Sequence, residues 1–176
     1  MKMTIKYDYS NFMSNAIGSE GISDKILNGY EKLSLKYRDE FRDEYESGKI
    51  KFPGLPFEKK YAKEAHDFAN KRMDKFENFV VLGIGGSALG NTALLTALGH
   101  PYHNLVSKKL RKGPRIFVLD NIDPDQFCGF LDLIDAKKTL FNVISKSGET
   151  AETMSQFLII YELLKKKLGK KFRNNI

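Results

Sequence analysis

Two short stretches of this 176-residue sequence hold the residue types that bind anions: Gly83-Ile84-Gly85-Gly86-Ser87-Ala88-Leu89-Gly90 and Ser145-Lys146-Ser147-Gly148-Glu149-Thr150. Glycines can take positive φ and let backbone N–H groups approach a ligand closely, and Ser87 adds a hydroxyl to the first stretch. The second stretch offers the hydroxyls of Ser145, Ser147 and Thr150, one glycine and the Lys146 ammonium, a set able to surround a phosphate monoester. The competing reading of this loop is plain helix capping, in which Ser147 or Thr150 satisfies the orphan N–H groups of a following first turn.

Other chemistry-bearing residues are sparse. Gly83-x-Gly85-x-x-Ala88 also satisfies the relaxed dinucleotide-binding fingerprint, and Asp120 stands where a ribose-binding acid would. Asp120 lies well beyond the usual separation of about 20 residues from the glycines, and the hydroxyl-rich loop has no necessary role in a dinucleotide site. A sugar-phosphate site is therefore the stronger reading. His66, His100 and His103 fall away from both stretches, so surface or packing roles are expected for them, and three histidines with one cysteine make a metal cluster improbable. Cys128 sits in a helical pattern and is expected to pack.

The elements that must position these loops follow from hydrophobic spacing. Short apolar runs at 79–82 (FVVL), 116–119 (IFVL) and 141–144 (FNVI) read as buried strands. Each of the two loops follows one of these runs directly and precedes a helix. Helical spacing covers about 88–98, 124–135 and 150–168; the last places Met154, Phe157, Leu158, Tyr161, Leu164 and Leu168 on one stripe. Alternating strands and helices imply right-handed crossovers and a parallel sheet with helices on both faces, an α/β three-layer αβα sandwich of flavodoxin-like type. Ligands bind such sheets at the carboxyl ends of the strands. Before the sheet comes a helical arm, 1–77, with one helix expected at about 23–47, a break at FPGLPF (52–57) and a second helix at about 57–75. Residues 78–176 then form the sheet domain.

Composition narrows the class further. The net charge is +7, and it resides in two segments, 105–116 and 161–176, that do not interleave aromatics as a nucleic-acid stacking platform would. No nucleic-acid partner is expected. No apolar run approaches the roughly 18 residues of a membrane span, and MKMTIKYDYS is not a secretory signal, so a cytoplasmic protein without a membrane partner is expected. The single cysteine allows no internal disulfide.

The two loops together resemble the glucose-6-phosphate isomerase family. VVLGIGGSALG (80–90) is similar to that family's first strand and glycine loop, VISKSGETAET (143–153) to its phosphate loop, and VLDNIDP (118–124) extends the match. The resemblance implies the first of two sugar-isomerase (SIS) domains, an aldose–ketose isomerisation of glucose 6-phosphate and fructose 6-phosphate in glycolysis and gluconeogenesis, no cofactor, and a homodimer for the full-length enzyme. It places Ser145, Ser147 and Thr150 side chains and the backbone N–H groups around Lys146 on the phosphate, with Gly86 and Ser87 on the sugar side. Glu149 departs from the hydroxyl residue common at its position; repulsion from a phosphate predicts that its side chain faces solvent. The family's base, histidine and lysine match nothing here. A fourth strand is expected to begin near Asn174-Asn175-Ile176, so the sheet is expected to be incomplete and the chain to be an N-terminal fragment, inactive alone. The alternatives are a non-catalytic SIS-type sugar-phosphate-binding module and an NAD-binding domain.

Overall fold

The computed structural model describes residues 6–176 and divides the chain into two compact units between Tyr61 and Ala62. In the first unit, short 3-10 turns (Ser10–Phe12, Gly18–Glu20) flank α1 (Ser14–Ile17), and α2 (Asp24–Gly29) and α3 (Glu31–Glu46) follow. The single helix expected at 23–47 is thus two. Ser23 caps α2 by accepting the Ile26 N–H at 3.3 Å, but Gly29 weakens the helix interior, and the Tyr30 N–H bonds back to the Leu27 carbonyl at 3.1 Å. FPGLPF does interrupt the α-helical run, itself forming a 3-10 segment (Phe52–Phe57). Then α4 (Lys59–Arg72) carries the chain into the second unit. Among the described residues of the first unit, Met13 is the one buried apolar side chain.

The second unit is built on three parallel strands, β1 (Asn78–Leu82), β2 (Arg115–Leu119) and β3 (Thr139–Val143), in the order β2-β1-β3. Asn78 pairs with Arg115 on one side and Thr139 on the other, and the register runs without a bulge to Leu82 between Leu119 and Val143. β1 is enclosed on both faces, which is why it reads as an unbroken apolar run and not as an alternation. Polar side chains join the strand starts: Arg115 Nε donates to Asn78 Oδ1 (2.8 Å), Asn78 Nδ2 to Thr139 Oγ1 (2.9 Å), and Thr139 Oγ1 to the Asp135 carbonyl (2.7 Å).

Between β1 and β2 lie α5 (Gly86–Leu98) and α6 (Lys108–Arg111); α7 (Pro124–Leu133) joins β2 to β3, and α8 (Ala151–Leu168) follows β3. The crossover from β1 to β2 and the crossover from β2 to β3 run in opposite directions across the sheet, so right-handedness places α5 and α7 on opposite faces. Val80, Leu82 and Phe141 meet Phe127 and Phe130 of α7 and Ile160 and Leu164 of α8 in the main core. Thr153 and Gln156 share that buried face of α8, whereas Leu158 is exposed. The expected stripe through Met154 and Leu158 is therefore rotated: two polar residues occupy the inner line, and hydrophobic spacing does not count them. Cys128 is exposed on α7, which corrects its expected packing role, since Phe127 and Phe130 take the inner positions.

Side chains also finish the sheet edges. Asn104 offers β2 a strand-like partner: its Nδ2 donates to the Ile116 carbonyl (2.7 Å) and its Oδ1 accepts the Ile116 N–H (2.8 Å). Beyond α8 the chain forms a 3-10 segment (Gly169–Asn175), not a strand, and brings buried Asn175 beside the start of β3, where its Nδ2 meets the Thr139 carbonyl at 2.8 Å.

Candidate functional site

The order β2-β1-β3 puts the point where the crossovers diverge between β1 and β3, the place at which an open parallel sheet leaves a crevice at its carboxyl edge. Both loops singled out above lie there. The strand ends that lead into them are joined: the Ile144 N–H donates to the Leu82 carbonyl at 2.9 Å. A Cβ added at Gly83 would stand 3.0 Å from Ser87 Cβ and 3.1 Å from the Ile144 carbonyl oxygen, so a side chain here would press on its neighbours and a glycine lets the first loop lie close to the end of β3.

On the first loop, Gly85 takes φ +56° as the N-cap of α5 and has no side chain with which to cap. Gly86 and Ser87 open that helix, two residues earlier than its expected start. The N–H groups of Ile84, Gly85 and Gly86 and the hydroxyl of half-buried Ser87 have no partner among the described residues.

The second loop is folded on its own hydroxyls. Ser145 Oγ accepts the Gly148 N–H at 2.9 Å and lies 3.2 Å from Thr150 Oγ1. Whichever of the two donates across that bond, the other keeps its proton for a ligand. Ser147 Oγ accepts the Glu149 N–H at 3.1 Å, which leaves its proton unused as well. Gly148, at φ +75°, supplies the turn.

Thr150 is the N-cap of α8, yet its hydroxyl makes no capping bond. The capping explanation of this loop therefore fails at Thr150, and the Ala151 and Glu152 N–H groups stay open, as do those of Lys146 and Ser147. By contrast α2, α6 and α7 are capped by Ser23, Ser107 and Asp123. Two uncapped helix N-termini thus open beside the same crevice, with unspent hydroxyls between them and Lys146 exposed at the rim. Helix dipoles, open N–H groups and one cation together favour a doubly charged anion.

The remaining candidates lie elsewhere. Glu149 is exposed and engaged through its backbone alone. Asp120 is exposed in the loop after β2. His66 meets Asn70 on α4, His100 Nδ1 accepts the Tyr102 N–H at 3.0 Å, and His103 Nε2 lies 3.1 Å from the Pro114 carbonyl, at the opposite end of β2 from the site. A cavity of about 450 Å3 between α4 and the sheet, lined by Phe68, Met73, Phe76, Phe79 and Leu140 among others, is apolar and away from the strand ends. Sequence reasoning pointed to backbone N–H groups of the glycine loop from the glycine spacing, without singling out those of Ile84 and Gly85. It missed Gln156, whose signal is a polar residue on the buried phase of α8.

Comparison with known proteins bears on the family and the fold. The family model for phosphoglucose isomerase matches residues 60–175. A glucose-6-phosphate isomerase of Carboxydothermus hydrogenoformans is 42% identical over 176 residues, covering 99% of this chain and 38% of the relative. Among solved structures, a hypothetical protein of Thermus thermophilus superposes with a TM-score of 0.67 at 29% identity, over 86% of this chain and 34% of its own. A glucose-6-phosphate isomerase of Chlamydia trachomatis gives 0.52 at 34% identity, over 62% and 20%. The chain thus spans well under half the length of the relatives it matches.

Proposed function

The chain belongs to the phosphoglucose isomerase family, and on that premise we propose that it holds the phosphate of a hexose 6-phosphate whose aldose and ketose forms the whole enzyme interconverts. The observation that carries the proposal is the pair of uncapped helix N-termini at the β1/β3 crevice. In this reading Ser145, Ser147 and Thr150 donate to the phosphate oxygens, the Lys146 and Ser147 N–H groups complete the cradle, and the Lys146 ammonium adds charge at the rim. Gly86 and Ser87 line the sugar side. Residues 78–176 act as the first SIS domain and residues 1–77 as its helical arm. The full-length enzyme works as a cytoplasmic homodimer, without nucleic acid or membrane.

Isomerisation opens the sugar ring and shuttles a proton between adjacent carbons through an enediol, which requires a base, an acid for ring opening and a cation near the developing charge. None of the three histidines stands at the site, and Glu149 points no bonded carboxylate into it. In this reading the proton-transfer groups come from the remaining length that the relatives possess, and this chain binds without turning over. Titration of the 176-residue chain with glucose 6-phosphate, followed by 31P NMR, is expected to show saturable binding that inorganic phosphate competes away. A coupled assay on the same sample, free of host enzyme, is expected to show no isomerisation; measurable turnover would refute inactivity, and protection against heat by NAD but not by glucose 6-phosphate would refute the site.

A further inference from the structure

Along the face of α8 that lies on the sheet, Leu164 and Ile160 are apolar, but Gln156 and Thr153 continue the same line with 3% and 1% exposure. Gln156 Nε2 donates to the Asn121 carbonyl at 2.6 Å. Gln156 Oε1 and Thr153 Oγ1, both fully enclosed, have no partner among the described residues. A buried polar atom without a partner loses its solvation and gains nothing in return, so enclosed atoms of this kind are satisfied by ordered water wherever there is room.

We infer that a single buried water is held between Thr153 and Gln156, accepting the Thr153 hydroxyl proton and donating to Gln156 Oε1, and that the resulting chain from Thr153 to Asn121 positions the loop after β2. Residues three apart lie on one face of a helix, so both side chains rise from the same buried line of α8, and a water with hydrogen bonds of about 2.8 Å to each oxygen would join them. The chain joins elements on either side of the central strand: α8 follows β3, Asn121 follows β2, and β1 lies between them. Its anchored end is firm, because Asn121 Oδ1 also accepts the Ile122 N–H (2.8 Å) and Asp123 caps α7 by accepting the Gln126 N–H (2.8 Å). Gln156 is thus a positioning residue for the loop after β2, at the carboxyl edge of the sheet that also carries the crevice, and its effect on ligand rests on the sugar-phosphate reading above.

The water itself can be tested without that reading. A crystal structure of the unaltered chain at high resolution is expected to show density within about 2.6–3.2 Å of both atoms; a dry site, or a direct Thr153–Gln156 bond, overturns the inference. Denaturation midpoints of Thr153→Val, Gln156→Met and the double variant are expected to be non-additive, with Thr153→Ser close to the parent, whereas additive shifts argue against a shared water. In 31P titrations Gln156→Met is expected to weaken glucose 6-phosphate binding three- to tenfold while inorganic phosphate stays within twofold. Equal loss for both ligands makes Gln156 a general fold residue and overturns the positioning role. If the parent chain binds neither ligand, the proposed function fails while the density and the midpoints still decide the water.

Discussion

Ser145 is the residue on which the shape of the second loop depends, because its oxygen both accepts the Gly148 N–H and meets the Thr150 hydroxyl. Ser145→Ala leaves that N–H without its acceptor and frees Thr150 to turn toward the open first turn of α8. Affinity for glucose 6-phosphate, read by 31P titration, is expected to fall at least tenfold, in line with about 1.5–3 kcal/mol for a hydrogen bond to a charged group. Thr150→Val should lose a similar amount; a larger loss of folding stability than of binding in Thr150→Val would restore the capping explanation. Glu149→Thr tests the neighbouring carboxylate. Its exposure predicts a change below tenfold, because solvent screens an outward charge, and a greater tightening would mean that the carboxylate is aimed at the anion. Gly148→Ala forces a side chain into φ +75° and should cost about 1–2 kcal/mol of stability in chemical denaturation.

Among the strands, helices and loops, what could be read from the sequence was whatever repeats or clusters locally. The strands announced themselves because a parallel sheet covered on both faces produces continuous apolar runs, and the two loops did so by composition. What escaped was carried by single side chains acting over long separations. Asn104 satisfies Ile116 and Asn175 reaches Thr139, and neither bond leaves a periodic trace. The phase of α8 escaped for the opposite reason, since Thr153 and Gln156 interrupt the apolar line with polar residues. The edge device is open to test. Asn104→Ala leaves the Ile116 N–H and carbonyl unpaired at the β2 edge and should destabilise the chain by about 1–3 kcal/mol. It should also promote self-association, visible by size-exclusion chromatography, through the exposed strand edge; an unchanged denaturation midpoint would show that the amide is dispensable. At the strand starts, Lys138 is held above its ordinary value by its hydrogen bond to the Glu77 carboxylate and by that group's charge. Its contribution is therefore complete below the ordinary lysine range and lost as pH rises through the folded value. Lys138→Met should flatten the alkaline limb of the stability profile and leave the neutral region unaltered in slope.

For the molecule as a whole, burial is distributed so unevenly that the two compact units must differ in how they resist opening. Val80, Val81, Leu82, Ile160 and Leu164 are all fully enclosed in the second unit, whereas the first unit encloses Met13 and leaves Tyr30, Tyr37, Phe41 and Tyr45 along one helical line exposed. Hydrophobic burial is the dominant favourable term in folding, so a unit of this kind cannot offset the entropy of ordering its own backbone. Local opening free energies should accordingly be low through α2 and α3 and close to the global value in β1. Hydrogen exchange on the 176-residue chain is expected to show amides of 24–46 exchanging at least about tenfold faster than those of 78–82 and 139–143, with Ile144 among the slow set because its N–H bonds to Leu82. In a longer relative of the same family the exposed aromatic line has more chain against which to pack, so the same peptides should become protected there. Equal, strong protection of both units in the 176-residue chain would contradict the assignment of stability to the sheet that carries the two loops.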